Sequence, residues 1–119
     1  MKGYKSLKKD KDFQETFNQG ASYLNQHFVL YVRPSDENGQ LKIAFCVGKK
    51  LGYAVQRNRI KRRMRHAFQS FMRQVAKDHQ IIVIARQKVN EIDFSQLCSS
   101  LKSLFLKANL IDIDEKDDR

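Results

Sequence analysis

Residues 57–65, with the sequence Arg-Asn-Arg-Ile-Lys-Arg-Arg-Met-Arg, constrain the fold of this chain more than any other segment. Six of these nine residues are Lys or Arg, and none is acidic. Apolar residues begin inside the segment and recur at intervals of three and four, which is typical of one face of an amphipathic helix. They are Ile60, Met64, Ala67, Phe68, Phe71, Met72 and Val75. The sequence therefore predicts a long helix with an apolar face on the core and a cationic face opposite.

The positive charge of the chain is confined to this helix and the residues around it. Residues 38–77 contain 11 Lys or Arg and no Asp or Glu, whereas the whole chain has a net charge of +10. Cations three or four positions apart on a helix repel one another, and cations near its N-terminus oppose the helix dipole. A bound polyanion relieves both costs. Because no acid interleaves, the pattern favours a polyanion-binding surface over a solvated charged face.

The length of 119 residues predicts a single domain spanning residues 1–119. We expect residues 1–9 to form a flexible basic arm and residues 112–119 to form an acidic, frayed tail. No stretch approaches the roughly 18 apolar residues of a membrane span, and no signal segment opens the chain, so we expect a soluble cytoplasmic protein. Cys46 and Cys98 are expected to be small core residues, and with the three histidines they show no metal-ligand spacing.

The remaining patterns predict an α+β fold. Residues 27–33 and 41–47 alternate as strands, and the polar residues 35–39 between them indicate a hairpin loop. Residues 81–85 are apolar throughout, which is typical of an interior, parallel strand. Helices are expected at residues 10–20 and 93–108, the second with a capping box formed by Asp93 and Gln96. We therefore predict a two-layer sandwich of one mixed sheet, with about four strands, and three helices.

No convincing set of nucleophile, base and orienting partner is present, so no catalytic residue is assigned. The chain is better supplied for binding. Phe13 and Phe17 are spaced i and i+4 and share one helix face, and Tyr31 lies on a thinly covered face of the predicted sheet. A cationic helix together with exposed aromatic rings is the combination that holds single-stranded nucleic acid. If these three rings line one groove, bases can stack there; the alternative is that Phe13 and Phe17 pack in the core.

Five blocks of sequence carry a resemblance to a known family. They are FQETF at residues 13–17, FVLY at 28–31, KKLG at 49–52, AVQRNRIKR at 54–62 and IVIAR at 82–86. In this order and spacing they resemble the bacterial RNase P protein subunit over nearly the whole chain. Two positions depart from the pattern, since the family often has Ser where Gly48 stands and Asn where Tyr53 stands.

The resemblance implies a left-handed βαβ crossover, against the usual right hand. It also implies that the catalyst is an RNA subunit, which removes the 5′ leader of precursor tRNA with Mg²⁺ held mainly by the RNA components. The protein would need neither a membrane nor self-association. By the same resemblance, the residues that contact the RNA subunit are Arg57, Asn58, Arg59, Lys61, Arg62 and Arg65. Those that bind the leader are Phe13, Phe17, Tyr31, Lys49 and Lys50.

Two other functions fit parts of the sequence. A general RNA-binding protein, such as a ribosomal protein or an RNA chaperone, would account equally well for the composition and the basic helix. A nuclease acting without an RNA subunit would need a catalytic set of its own. Only the succession of motifs favours the RNase P subunit over the first of these.

Overall fold

A computed structural model describes residues 4–7, 10–35 and 41–111 of the chain. The predicted acidic tail at residues 112–119 and most of the predicted hairpin loop lie outside these ranges. The strands are β1 (Lys5–Ser6), β2 (Ala21–Leu24), β3 (Phe28–Pro34), β4 (Lys42–Cys46) and β5 (His79–Ala85). The helices are α1 (Asp10–Gln19), α2 (Ala54–Gln69) and α3 (Phe94–Lys107), and short 3₁₀ turns span Lys49–Leu51, Met72–Gln74 and Gln87–Glu91.

The five strands form one mixed sheet in the order β1-β4-β5-β3-β2. Strand β4 is parallel to both β1 and β5, whereas β3 is antiparallel to both β5 and β2. The α+β class, the mixed sheet and the three helices are thus confirmed. The described residues contain one strand more than the approximate four of the prediction. Helix α2 connects the parallel neighbours β4 and β5, and the left-handed sense of that crossover stays a prediction.

The predicted hairpin between β3 and β4 is wrong. Both strands form as expected, but β5 lies between them and pairs with each. The reason is the burial of β5, in which Ile81, Ile82 and Val83 are all fully buried although they face alternate sides of the sheet. A strand that is apolar on both faces is most stable at the centre of a sheet. Strand β5 therefore lies between β3 and β4, which were expected to pair because they are neighbours in the sequence.

One face of the sheet carries the hydrophobic core. Alternate residues of the strands point to this face, and α2 and α3 pack against it. Phe68 of α2 lies at its centre, with ring contacts to Tyr4, Phe45, Phe71 and Phe105 at centroid distances of 5.3 to 5.8 Å. The core therefore fixes which side of α2 is turned away from solvent.

Of the two core helices, only α2 differs from its prediction, and it does so at its C-terminal end. Helix α3 begins with the predicted capping box: Asp93 Oδ1 accepts from the Gln96 backbone N–H at 2.8 Å, and Gln96 Oε1 accepts from the Asp93 N–H at 3.0 Å. Helix α2 ends at Gln69 rather than continuing to Val75. The Ser70 hydroxyl donates to the Ala67 carbonyl oxygen at 2.6 Å, a local bond that competes with further helix.

Residues 4–7 are the described part of the predicted arm at residues 1–9. They contain strand β1, which pairs with β4, and Tyr4 and Leu7 are buried on either side of it. This part of the arm therefore belongs to the folded domain. In the described part of the chain, no helix is long and apolar enough to cross a membrane.

Helix α1 lies on the sheet face opposite to the core. Its contacts are made with Gln80 and with the side chains of β3 and β4 that alternate with the core residues. Gly20 permits the tight passage from α1 into β2, because a Cβ at this position would lie 2.5 Å from the Thr16 carbonyl oxygen and 2.7 Å from that of Val32. The sheet therefore separates α1 from α2.

Candidate nucleic-acid interface

The polar side of α2 is a continuous cationic surface. Ile60, Met64, Ala67 and Phe68 are buried in the core, which turns the opposite side of the helix to solvent. Asn58, Arg59, Arg62 and Arg65 are exposed there, and Arg57 and Lys61 are half-buried at its border. We call these six residues the α2 cationic face. The structure thus brings together all the residues that the sequence assigned to the RNA subunit.

The charges on the α2 cationic face are not neutralised by described residues. Helix α2 contains no acid, and within the described ranges none of its cations forms an ion pair. Arg63 is different, because it is half-buried and its guanidinium donates to the Ile92 carbonyl oxygen at 3.5 Å. Arg63 therefore supports the packing of the turn before α3, while the neighbouring cations remain available to a ligand.

The approach to α2 is held by a glycine and a glutamine. Gly52 adopts a φ of +133°, which L side chains rarely reach, and a Cβ there would lie 2.7 Å from Gln56 Oε1. That oxygen accepts from the Tyr53 backbone N–H at 2.6 Å and so satisfies a free donor at the start of the helix. Lys49 and Lys50 are exposed on the turn immediately before this junction.

The three predicted groove residues form one cluster of rings on the α1 side of the sheet. The Phe17 and Tyr31 ring centroids are 4.6 Å apart, and those of Phe13 and Phe17 are 6.3 Å apart. Phe17 is 43% exposed, and the other two are half-buried. None of them belongs to the core cluster. We call this set the aromatic groove; its rings are open to solvent and fixed by contact with one another.

A buried polar contact holds α1 against the sheet beside the aromatic groove. Thr16 is fully buried, and its hydroxyl donates to the Asp12 carbonyl oxygen at 2.8 Å. The same hydroxyl lies 3.0 Å from Oε1 of Gln80, a buried residue of the central strand β5. Because buried polar groups are costly unless hydrogen-bonded, this pair fixes the position of α1.

Two ion pairs flank the Thr16–Gln80 contact. Arg33 and Lys42 are the cross-strand neighbours of Gln80 on β3 and β4. The Arg33 guanidinium lies 3.6 Å from Glu15, and the Lys42 ammonium lies 3.5 Å from Asp12. Three polar residues of α1, namely Asp12, Glu15 and Thr16, thus dock the helix, and the Phe17 ring beside them stays partly exposed.

Lys49 and Lys50 lie apart from the three rings, at the edge of the sheet where β4 and β5 end. With Gly48, Leu51, Ile84, Ala85, Arg86 and Gln87 they line a cavity of 550 Å³. Sequence reasoning missed Arg86 as a further cation here. The signal was present, because parallel neighbours end at the same edge of a sheet, and Arg86 directly follows β5 as the lysines follow β4.

The charge of Lys61 affects the pKa of a thiol on the other side of the sheet. Burial raises the pKa of the Cys46 thiol, and the nearby Lys61 ammonium lowers it by a smaller amount. Cys46 alternates with the core residues of β4, so it belongs to the α1 side of the sheet. The charge of Lys61, at the border of the α2 cationic face, therefore favours the Cys46 thiolate, while burial opposes it.

The departure at Gly48 leaves the backbone unaffected. Gly48 has a φ of −75° and a ψ of 163°, which is ordinary extended backbone, and a Cβ there would meet nothing within 4 Å. A serine at this position would fit without adjustment. The side chain of Tyr53, the other departure, is 84% exposed.

Fold and site define a small α+β domain with a cationic helix on one side of a mixed sheet and an aromatic groove on the other. The family model described as Ribonuclease P matches residues 1–109. The ribonuclease P protein component of Shouchella clausii is 38% identical over 111 residues, which is 93% of this chain and 91% of that protein. The chain therefore belongs to the ribonuclease P protein family.

Solved structures agree with this assignment. The RNase P protein of Staphylococcus aureus superimposes with a TM-score of 0.83 at 35% identity, covering 93% of this chain and 100% of that one. The RNase P protein from Thermotoga maritima gives a TM-score of 0.78 at 29% identity, covering 87% and 96% of the two chains.

Proposed function

We propose that this chain is the RNA-binding protein subunit of the RNase P ribonucleoprotein in tRNA 5′ maturation. In this proposal the α2 cationic face binds the catalytic RNA, and the aromatic groove binds the single-stranded 5′ leader of precursor tRNA. The RNA cuts the leader, and the protein, in the cytoplasm and without self-association, aids assembly and substrate binding. The observation that carries the proposal is that the sheet separates two surfaces of different chemistry.

The α2 cationic face suits folded RNA because a rigid helix presents its cations along one line. Arg59, Arg62 and Arg65 are spaced by three residues, so their guanidinium groups follow the exposed side of the helix. Guanidinium groups bind phosphate oxygens in pairs, which gives both affinity and orientation. No described carboxylate competes for these groups.

The aromatic groove suits an unpaired strand because stacking on a ring requires a base with a free face. Tyr31 is placed by β3, and Phe17 is placed by a helix that is docked through buried and paired polar groups. Lys49 and Lys50 supply charge for the backbone of such a strand at the end of β4. The proposal assigns these four residues, together with Phe13, to the leader.

The proposal places Mg²⁺ on the RNA components. The described residues contain no group of three or more His, Cys, Asp or Glu side chains that could hold a metal ion. Asp12 and Glu15, the described acids beside the groove, are paired with Lys42 and Arg33. These side chains do not fit a protein-held Mg²⁺ site, so no step of the reaction is assigned to one.

Reconstitution tests the proposal. A bacterial RNase P RNA is given precursor tRNA at low Mg²⁺ concentration with and without this protein, and the rate of leader removal is measured. We expect the protein to raise the rate, and the same protein freed of RNA to cut nothing by itself. An unchanged rate would instead support a ribosomal-type RNA-binding protein, and cleavage by the RNA-free protein would support a separate nuclease.

A further inference from the structure

The two most exposed large apolar side chains of the described residues both belong to the start of α2. Tyr53 is 84% exposed and Val55 is 73% exposed, whereas Phe17, in the aromatic groove, is 43% exposed. Single exposed apolar residues are common on protein surfaces. Two such exposed residues, at a junction whose backbone is fixed by Gly52 and the Gln56 side chain, indicate a surface that can bind a partner.

This apolar pair continues the α2 cationic face. Val55 precedes Asn58, Arg59 and Arg62 by three, four and seven residues, which places it on their side of the helix. Lys49, Lys50 and Arg57 lie within four residues of Tyr53 or Val55, and residues 38–77 contain no acid. The charge around the pair is therefore complementary to a polyanion and unsuited to a cationic partner.

We propose that Tyr53 stacks on an unpaired base of the RNase P RNA, with Val55 packed against the same nucleotide. The inference rests on the proposed function, because the phosphates beside that base are those held by the α2 cationic face. We choose the catalytic RNA as the source of the base because Val55 shares its helix side with Arg59 and Arg62. Since Lys49 and Lys50, assigned to the leader, lie on the turn before Tyr53, binding to precursor tRNA is measured beside binding to RNase P RNA. In this contact the Tyr53 ring takes the position at which the family often has Asn.

Three variants test the stacking. Tyr53→Asn removes the ring but supplies a favourable helix N-cap, so α2 is retained. Tyr53→Phe keeps the ring and removes only the hydroxyl. Phe94→Asn is the control, because Phe94 is also exposed (43%) at the start of a helix but lies beside Glu91 and Asp93.

We expect Tyr53→Asn to weaken binding to RNase P RNA by about 5- to 150-fold, the range that loss of one base stack gives. Tyr53→Phe and Phe94→Asn should bind like the unaltered protein. Unchanged affinity of Tyr53→Asn overturns the inference. Equal losses in Tyr53→Asn and Tyr53→Phe overturn it too, because the hydroxyl would then make the contact. A loss seen with precursor tRNA alone contradicts the choice of RNA.

Fluorescence reports the contact directly, since the chain has no tryptophan. Tyr53→Trp should show strong quenching when RNase P RNA is added, and Phe94→Trp should show none. Absence of quenching in Tyr53→Trp contradicts stacking even if affinity changes. If Arg62→Ala weakens RNA binding but the Tyr53 variants do not, this inference fails alone. If the arginine variants also bind normally, the proposed function fails with it.

Discussion

Helices α1 and α2 pack on opposite faces of the same sheet and use their polar residues in opposite ways. The acids Asp12 and Glu15 of α1 are consumed by pairing with Lys42 and Arg33, so this helix presents rings to solvent. Helix α2 is held mainly by its apolar stripe, with one polar contact from Arg63 to the Ile92 carbonyl oxygen, and its cations pair with no described acid. The comparison teaches that the contacts that hold a helix on the sheet decide which of its charged or aromatic side chains are left to bind a ligand.

The largest effect is expected from the simultaneous change of Arg57, Arg62 and Arg65 to Ala. Binding through about six phosphates gives a log–log salt dependence of about −4 to −5. Removing three contacts should flatten it by about 2–3 units, a loss of about 3–4 kcal/mol at 0.1 M salt if the curves meet near 1 M. Filter binding to RNase P RNA over a salt series measures both quantities.

The matched control for this prediction changes three cations away from α2. Lys77, Lys88 and Lys107 are exposed, and changing all three to Ala alters the net charge by the same amount. This control should shift the slope far less than the α2 variant. Equal effects from the two sets would show that net charge, rather than the α2 cationic face, binds the RNA.

A smaller effect is expected at the aromatic groove. Tyr31→Ala should weaken binding of precursor tRNA to the ribonucleoprotein by about 1–3 kcal/mol through loss of base stacking. Tyr31→Phe should have little effect, and mature tRNA should bind both variants normally. Equilibrium binding with the two tRNAs checks this. Equal losses for precursor and mature tRNA would indicate that Tyr31 supports the fold instead of the leader.

The docking of α1 predicts an effect of similar size on stability. Thr16→Val keeps the side-chain shape but leaves the buried Gln80 amide without its partner, which should lower the free energy of unfolding by about 1–3 kcal/mol. The double variant Thr16→Val with Gln80→Leu removes both polar groups and should regain most of that loss. Urea unfolding measures both. A double variant no more stable than Thr16→Val alone would contradict the assigned role of the contact.

The smallest effect is expected at the Cys46 thiol, whose pKa is lowered by the charge of Lys61 on α2. Lys61→Met should raise the pKa of the Cys46 thiol further, because the charge that lowers it is removed. Less thiolate is then present at pH 8, so iodoacetamide should react more slowly in a Cys98→Ser background. Lys102→Met on α3 is the control. Unchanged reactivity of Cys46 in Lys61→Met would place Lys61 away from β4.

The raised pKa of Cys46 also sets a pH dependence of stability. The folded protein keeps the thiol proton to higher pH than the unfolded chain does. The contribution of Cys46 is therefore fully present below its unfolded pKa and is lost as pH rises through the folded pKa. Cys46→Ala should flatten the alkaline side of the stability profile, measured by urea unfolding from pH 7 to 10.

Much of the fold follows from local periodicity. Strands β3 and β4 and helices α2 and α3 were predictable because each repeats its apolar residues at the spacing of its structure. Strand β5 was predictable because its apolar run is continuous. Strand neighbours were less predictable. The choice of β5 rather than β4 as the partner of β3 depends on burial from both faces, which is a property of the assembled sheet. The short edge strands β1 and β2 contain too few residues to show a period.

The two sets of site residues could be predicted from the sequence, but the contacts that position them could not. The α2 cations share one helix face and the groove aromatics have recognisable spacing, so both sets were identified from sequence. The docking of Thr16 on Gln80 joins residues 64 positions apart, and no local pattern encodes that contact. The ion pair of Asp12 with Lys42 was equally hidden, because acids in a first helical turn are ordinary for helix capping.

The most direct test of the two-surface account is a double-mutant cycle between Arg62→Ala and Tyr31→Ala. The measured quantity is the affinity of the protein for a preformed complex of RNase P RNA and precursor tRNA. Each change should weaken binding, and because the sheet separates the sites, their effects should add to within about 0.5 kcal/mol. A coupling energy above about 1 kcal/mol, or a loss in only one variant, would contradict two independent surfaces.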